Sequence, residues 1–294
     1  MLSLALLTST LVLSAACGDT KNGSTTPSST TPSSSGPDGS APIETVPKPS
    51  VVLPSTMPTE LVITDRTVGT GAKAAVGDRV VVNYVGVRAA DGTMFDNSYD
   101  RGKAFEVTLG AGKVIPGWEK GLLGVQAGGQ RQLDIPASLA YGDKGAGDKI
   151  KPGDALSFVL DIVIVLPGST EADQPAIKVA PAGPTTKITS TDLVVGTGDS
   201  PTVGKQFAVR IILYRADTGE LVTSTWGAPP VSFLFGPGTN GFPGVVAVAD
   251  GMKVGGRRQA QLPFSQIFDG KGNANLKVPA SVDLVIVMDL VGVY

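Results

Sequence analysis

The chain has 294 residues and a formal net charge of −2, with 24 Lys and Arg against 26 Asp and Glu, so the cationic excess of a nucleic-acid binder is missing. It has no histidine and one cysteine, which excludes a Ser-His-Asp triad, a histidine zinc site, an internal disulfide and a thiolate cage. Its 38 glycines and 22 prolines favour short strands and turns over a helical bundle, and the length suits two domains.

Residues 1–16 are uncharged and carry Leu2, Leu4, Leu6, Leu7, Leu11, Val12 and Leu13. This run falls short of the about 20 residues a membrane span needs, and it reads as a secretory signal peptide. Ser14-Ala15-Ala16-Cys17-Gly18 resembles a bacterial lipobox, although Ser14 stands where Leu is usual and no Lys or Arg precedes the apolar run. The resemblance implies that Cys17 is lipidated and anchors an extracytoplasmic lipoprotein to the membrane; secretion without an anchor is the alternative. Residues 17–58 are mostly Ser, Thr, Pro and Gly, too polar to offset chain entropy, and are expected to form a disordered tether.

Residues 59–167 read as a first folded domain. Residues 80–85, Val-Val-Val-Asn-Tyr-Val, form a β-branched run between Gly77-Asp78 and Asp91-Gly92. Pro116-Gly117 opens a short helical stretch with Trp118, Leu122 and Val125 on one stripe. Residues 131–135 alternate like a strand with one wet face, and Leu156, Phe158, Leu160, Ile162 and Ile164 are expected on one face of a last strand. An antiparallel sheet curled over one short helix is an α+β arrangement. Asp91, Asp96 and Asp100 lack the spacing and the bidentate Glu of a calcium loop, so no metal is expected.

Tyr84-Val85-Gly86 is followed in order by Asp91-Gly92-Thr93-Met94-Phe95-Asp96-Asn97-Ser98, Phe105, Leu109-Gly110, Val114-Ile115-Pro116-Gly117-Trp118, Pro136 and Ala140-Tyr141-Gly142. Over about residues 60–166, this series resembles the FKBP-type peptidyl-prolyl cis-trans isomerases. The resemblance implies a half-open antiparallel sheet wrapped around the helix, with a proline ring held between them. Tyr84, Phe95, Asp96, Trp118 and Tyr141 are then the expected catalytic residues. Trp118 is the floor, Tyr141 donates to a substrate carbonyl, and Asp96 is buried at the edge, tied to Tyr84 and Arg101. Arg101, Phe105, Val114, Ile115, Ile150 and Phe158 are the expected substrate-binding residues. Among these, the Ile115 N–H donates to substrate and Ile150 forms an aliphatic lip. The loop around Ile150 lacks the His-Pro-Gly segment common in the family. The resemblance implies X–Pro bonds of unfolded or exported proteins as substrates, macrolide inhibitors as ligands, and no cofactor. A non-catalytic peptide-binding or chaperone lipoprotein is the alternative.

Residues 168–185 are rich in Pro, Gly and Thr and read as a linker. Beyond it the chain repeats. Val68-Gly69-Thr70-Gly71 recurs as Val195-Gly196-Thr197-Gly198, an offset of 195 − 68 = 127. The same offset pairs Pro116-Gly117 with Pro243-Gly244, Gly128-Gly129-Gln130-Arg131 with Gly255-Gly256-Arg257-Arg258, and Pro136 with Pro263. Small slips bring Gly110 to Gly236 and Asp161 to Asp289. Residues 186–294 therefore form a second copy. In it Tyr84 becomes Ile211, Phe95 becomes Val222, Asp96 becomes Thr223, Trp118 becomes Val245, Tyr141 becomes Phe268 and Phe158 becomes Ile286. The second copy is expected to keep the framework and to lose the pocket.

Overall fold

The computed structural model describes residues 47–294 except Asn240 and Phe242. The expected signal peptide, Cys17 and the tether up to residue 46 lie outside the described residues.

Alternation of apolar residues and glycine-rich turns gives the first copy a six-stranded antiparallel sheet. Its strands are β1 (Val62–Thr67), β2 (Arg79–Arg88), β3 (Met94–Asn97), β4 (Phe105–Thr108), β5 (Gln130–Ile135) and β6 (Leu156–Leu166). Their order is β1-β5-β6-β2-β3, and β4 also pairs with β2. The two short strands share one flank of β2, with Phe105 opposite Val82 and Asn97 opposite Val85. Between β4 and β5 lies the one α-helix of this copy among the described residues, α1 (Pro116–Gly121).

Two glycines let α1 approach the sheet closely. A Cβ on Gly121 would stand 2.5 Å from Cδ1 of Leu133, and one on Gly117 would collide with Ile135. The helical stripe expected through Val125 stops at Gly121, with Leu122 as the cap. Gly124 follows in the left-handed region at φ +76°, which turns the chain out of the helix. Arg131 Nη1 donates to the carbonyls of Gly121 and Leu123 at 2.8 and 2.9 Å, satisfying acceptors that the short helix leaves open. Trp118, Leu122 and Val125 are nonetheless all buried in one core.

The last strand also departs from simple alternation. Leu156, Phe158, Leu160 and Ile162 face the helix, but the register shifts between Val81 and Val82, whose partners are Ile164 and Ile162. Val163 is the extra residue of a β-bulge, so Ile164 turns to the opposite face and Val165 takes the inner one.

Residues 47–58, assigned from composition to the tether, lie along the first sheet. Val52 exchanges two hydrogen bonds with the Gln132 side chain, at 3.3 and 2.7 Å, and Lys48 pairs with Asp100 at 2.5 Å. Val51, Val52 and Leu53 interrupt the Ser/Thr/Pro composition in this stretch. Residues 168–185 are packed as well. Ile177 and Val179 lie against Tyr214 and Trp226, and the Tyr214 hydroxyl donates to the Ile177 carbonyl at 3.1 Å.

The second copy repeats the topology strand for strand. β7 (Thr189–Val194), β8 (Gln206–Arg215), β9 (Leu221–Ser224), β10 (Val231–Leu234), β11 (Arg257–Leu262) and β12 (Leu284–Val293) form the order β10-β8-β12-β11-β7, with β9 also on β8. α2 (Pro243–Ala249) takes the place of α1. Arg258 Nη1 reaches the carbonyls of Val248 and Asp250, each 127 positions after its counterpart beside Arg131. The bulge recurs at Val291, between Leu290 and Gly292.

The two sheets meet through their faces opposite the helices. Val81, Ala104, Val163, Ile164 and Leu166 of the first copy pack with Ala208, Val291 and Tyr294 of the second, and Val81, Leu166 and Ala208 are fully buried. The patches are largely equivalent, since Val81 corresponds to Ala208, Val163 to Val291 and Leu166 to Tyr294. The contact thus resembles an isologous dimer interface built within one chain. A Cβ on Gly292 would stand 2.6 Å from Cδ2 of Leu166, so glycine there permits the close approach.

Candidate active site

Trp118 sits on α1 beneath four other rings, each delivered by a different strand. Its centroid lies 5.1 Å from Tyr84 on β2, 5.9 Å from Phe105 on β4 and 5.2 Å from Phe158 on β6, with interplanar angles of 82–87°. Phe95 on β3 stands edge-on to Phe158 at 5.5 Å. Edge-to-face packing presents ring faces and edges in alternation and fixes the rings as one apolar cluster. Trp118 is 4% exposed, and its Nε1 is buried without a hydrogen-bond partner among the described residues. Phe105 is 40% exposed and forms the open side.

Gly86 makes this arrangement possible. It lies opposite Phe158 in the β2–β6 register, and its missing side chain leaves room for the rings of Phe158 and Phe95. The sequence reading passed over its role, because a glycine inside a strand reads equally well as a bulge or a weak point.

A polar cluster borders the rings. The Tyr84 hydroxyl donates to Asp96 Oδ2, Arg101 Nη2 donates to the Tyr84 oxygen at 2.8 Å, and Arg101 Nη1 pairs with Asp96 Oδ1. The Asn97 N–H adds a bond to Asp96 at 2.9 Å. Burial and the Asp96 hydrogen bond push the Tyr84 phenol up to about 12. For Asp96, burial opposes ionisation, but the bonds from Tyr84 and Arg101 outweigh it and hold the carboxyl below the usual range. The Asp96 side chain is 44% exposed, so the expected buried carboxylate is a half-exposed one, opened to solvent by its position on the short edge strand β3. Ser98, which the motif series contains without a role, donates its N–H to the Tyr84 carbonyl at 3.0 Å and accepts from the Tyr84 N–H at 2.9 Å through Oγ, which fixes β3 to β2 at this point.

A backbone donor without a partner among the described residues lies at the start of the helix. Ile115 caps α1 through its carbonyl, while among the described residues no acceptor meets its own N–H. The loop before it is held from the helix: Glu119 accepts from the N–H groups of Gly110 and Gly112 at 2.7 and 2.8 Å. Val114 and Ile115 are half-buried against the ring core. Ile150 is buried in the same core, in a loop closed by mutual backbone bonds with Ala146 at 2.9 and 3.2 Å. Lys149, its neighbour, reaches the Phe95 carbonyl at 3.4 Å. Tyr141 is 41% exposed, and its ring pairs with none of the others. Its hydroxyl has no partner among the described residues.

The comparisons with known proteins agree with this geometry. A family model described as FKBP-type peptidyl-prolyl cis-trans isomerase matches residues 70–163. The FK506-binding protein of Streptomyces anulatus is 50% identical over 109 residues, which are 37% of this chain and 88% of that protein. The chain belongs to the FKBP-type peptidyl-prolyl cis-trans isomerase family. The FK506-binding protein of Neisseria meningitidis is 41% identical over 36% of this chain and 95% of its own length. A probable FK506-binding protein of Corynebacterium glutamicum is 43% identical over 36% and 87%. The residues matched by the FKBP family model contain every ring of the cluster described above.

The second FKBP-like fold carries different side chains at the equivalent positions. Ile286 lies opposite Leu213, just as Phe158 lies opposite Gly86, so Leu213 fills the space that Gly86 leaves open. Val231 stands opposite Val209, where Phe105 stands opposite Val82. Aromatic bulk lies deeper instead: Phe207 and Phe233 pair where the first copy has Val80 and Val107.

Proposed function

We propose that the first copy is the catalytic isomerase, that it acts on X–Pro bonds of extracytoplasmic proteins and assists their folding, and that the second copy does not catalyse. The observation that carries the reading is the ring box over Trp118 beside the Ile115 N–H, which has no acceptor among the described residues.

Rotation about an X–Pro bond faces a barrier close to the ~18–20 kcal/mol of amides, because the C–N bond has double-bond character. A planar imide is more polar than a twisted one and is better stabilised by water. A dry aromatic pocket therefore favours the twisted form, which is differential binding without covalent chemistry. Lowering the barrier by about 6 kcal/mol would give roughly four powers of ten. In this reading the proline ring rests on Trp118 between Tyr84, Phe95, Phe105 and Phe158. The Ile115 N–H and the Tyr141 hydroxyl hold flanking carbonyls, and the Asp96 carboxylate, kept ionised by Tyr84 and Arg101, faces the twisting group. Leu213, Val222, Val245 and Ile286 supply neither floor nor walls for a proline, which supports a silent second copy. The extracytoplasmic assignment rests on the apolar run before Cys17.

Proline-limited refolding of a model protein, catalysed by the full chain, tests the reading. Asp96→Ala and Phe95→Ala are expected to reduce the rate, while Thr223→Ala and Val222→Ala leave it unchanged. If none of the four changes a refolding rate that the chain does not accelerate, the pocket is a non-catalytic peptide clamp. Cys17→Ala is expected to move the protein from the membrane fraction to the soluble one, and retention on the membrane would remove the lipoprotein reading.

A further inference from the structure

One wall of the proline pocket is tied to the second copy. β4 is four residues long and, among the described residues, β2 is the only strand it pairs with. Its inward residues are Phe105, on the open side of the ring box, and the buried Val107. Its outward residue Glu106 stands directly opposite Val81, at the centre of the interface between the copies. Glu106 Oε2 pairs with Arg79 Nη1 at 3.0 Å, and Oε1 lies 3.1 Å from the Tyr294 hydroxyl. That hydroxyl also lies 3.0 Å from Oγ of Ser232, the residue of β10 equivalent to Glu106. Arg79 in turn donates to the Pro230 carbonyl at 2.8 Å, and Ala104, just before β4, packs in the same cluster as Tyr294.

We propose that the second copy is a clamp on β4, holding the Phe105 wall in place so that the proline pocket of the first copy is preformed. Tyr294 and Glu106 are the positioning residues of this clamp. The inference rests on the isomerase reading of the first copy. A four-residue edge strand opens at little cost, and the Phe105 ring, 40% exposed, meets Tyr84 and Trp118 edge-on at 6.0 and 5.9 Å. Fixing the outer face of the strand removes that opening, and a wall already in place spares the substrate the cost of ordering it. Burial keeps the Tyr294 phenol protonated up to about 12, so the hydroxyl donates to Glu106 across the neutral range.

The test uses the full chain with Tyr294→Phe, Glu106→Ala and Glu106→Gln, read by amide hydrogen exchange and by kcat and KM on a proline peptide. Loss of the hydrogen bond in Tyr294→Phe and Glu106→Ala is expected to speed exchange of the β4 amides about tenfold, with β5 and β6 unchanged. KM should rise about three- to tenfold while kcat changes by less than about twofold, since only the ordering of the wall is affected. Glu106→Gln still accepts from Tyr294 and should restore both readouts. Unchanged β4 exchange would overturn the clamp; faster exchange with an unchanged KM would show a contact that stabilises without positioning, and would overturn it equally. A wild-type chain without isomerase activity would instead remove the functional reading, and peptide affinity would replace KM in deciding whether the clamp shapes the pocket.

Discussion

A Cβ atom built on Gly86 would stand 2.7 Å from Cε1 of Phe158 and 2.8 Å from Cζ of Phe95. Both contacts are with rings that pack against other rings, so neither can retreat without moving its neighbours. Gly86→Ala is therefore expected to cost about 1–3 kcal/mol of stability through overpacking and to reduce kcat/KM about tenfold or more. Urea unfolding and a peptide isomerisation assay measure the two effects. Activity within about twofold of wild type would mean that the pocket tolerates displaced walls, against the shape argument.

The absence of glycine at the equivalent Leu213 shows what the sequence made legible and what it did not. The repeat, the strands and the order of aromatic residues could be read because each leaves a periodic or fixed-offset mark. Gly86 and Ser98 stand in the motif series without a legible role, and Glu119 stands outside it, since their roles depend on which strand or loop lies opposite. The bulge at Val163 was hidden because an apolar run such as residues 162–166 fits either face, and register is decided by pairing with β2. The interface between copies did leave one sign: Val80, Val81 and Val82 are successive apolar residues, the pattern of a strand covered on both faces. The short helix was overestimated because its stripe continues past Gly121 in burial while the backbone leaves the helix.

The Tyr84–Asp96–Arg101 cluster makes a prediction about pH. Asp96 has a depressed folded pKa, so its contribution is present above the unfolded value of about 3.9 and is lost as pH falls through the folded one. Tyr84 has a raised pKa, so its contribution is complete below about pH 10 and is lost as pH rises through about 12. With no histidine in the chain, no group of the cluster titrates between these limits, and kcat/KM should be flat from about pH 5 to 9. A difference titration of tyrosinate absorbance between wild type and Tyr84→Phe should place the missing phenol near 12. A bell-shaped rate profile centred on neutrality would show that another group controls the reaction.

Glu119 links the helix to the loop that leads to Ile115, the donor of the proposed mechanism. Its two carboxylate oxygens accept from Gly110 and Gly112, and the chain then passes through Val114 to the Ile115 N–H, unpaired among the described residues. Charge-assisted bonds contribute roughly 1.5–3 kcal/mol when buried and less where solvent reaches them, as it does here. Glu119→Ala should therefore lower kcat/KM about tenfold, through misplacement of the Ile115 donor, while the ring box remains intact. Glu119→Gln keeps one acceptor oxygen and should fall between the alanine variant and wild type. Near-ultraviolet circular dichroism of the aromatic cluster should be unchanged in both, which separates loss of the loop from loss of the pocket. Equal activity in all three proteins would show that the loop is held by its own backbone geometry and that Glu119 has no part in placing the donor.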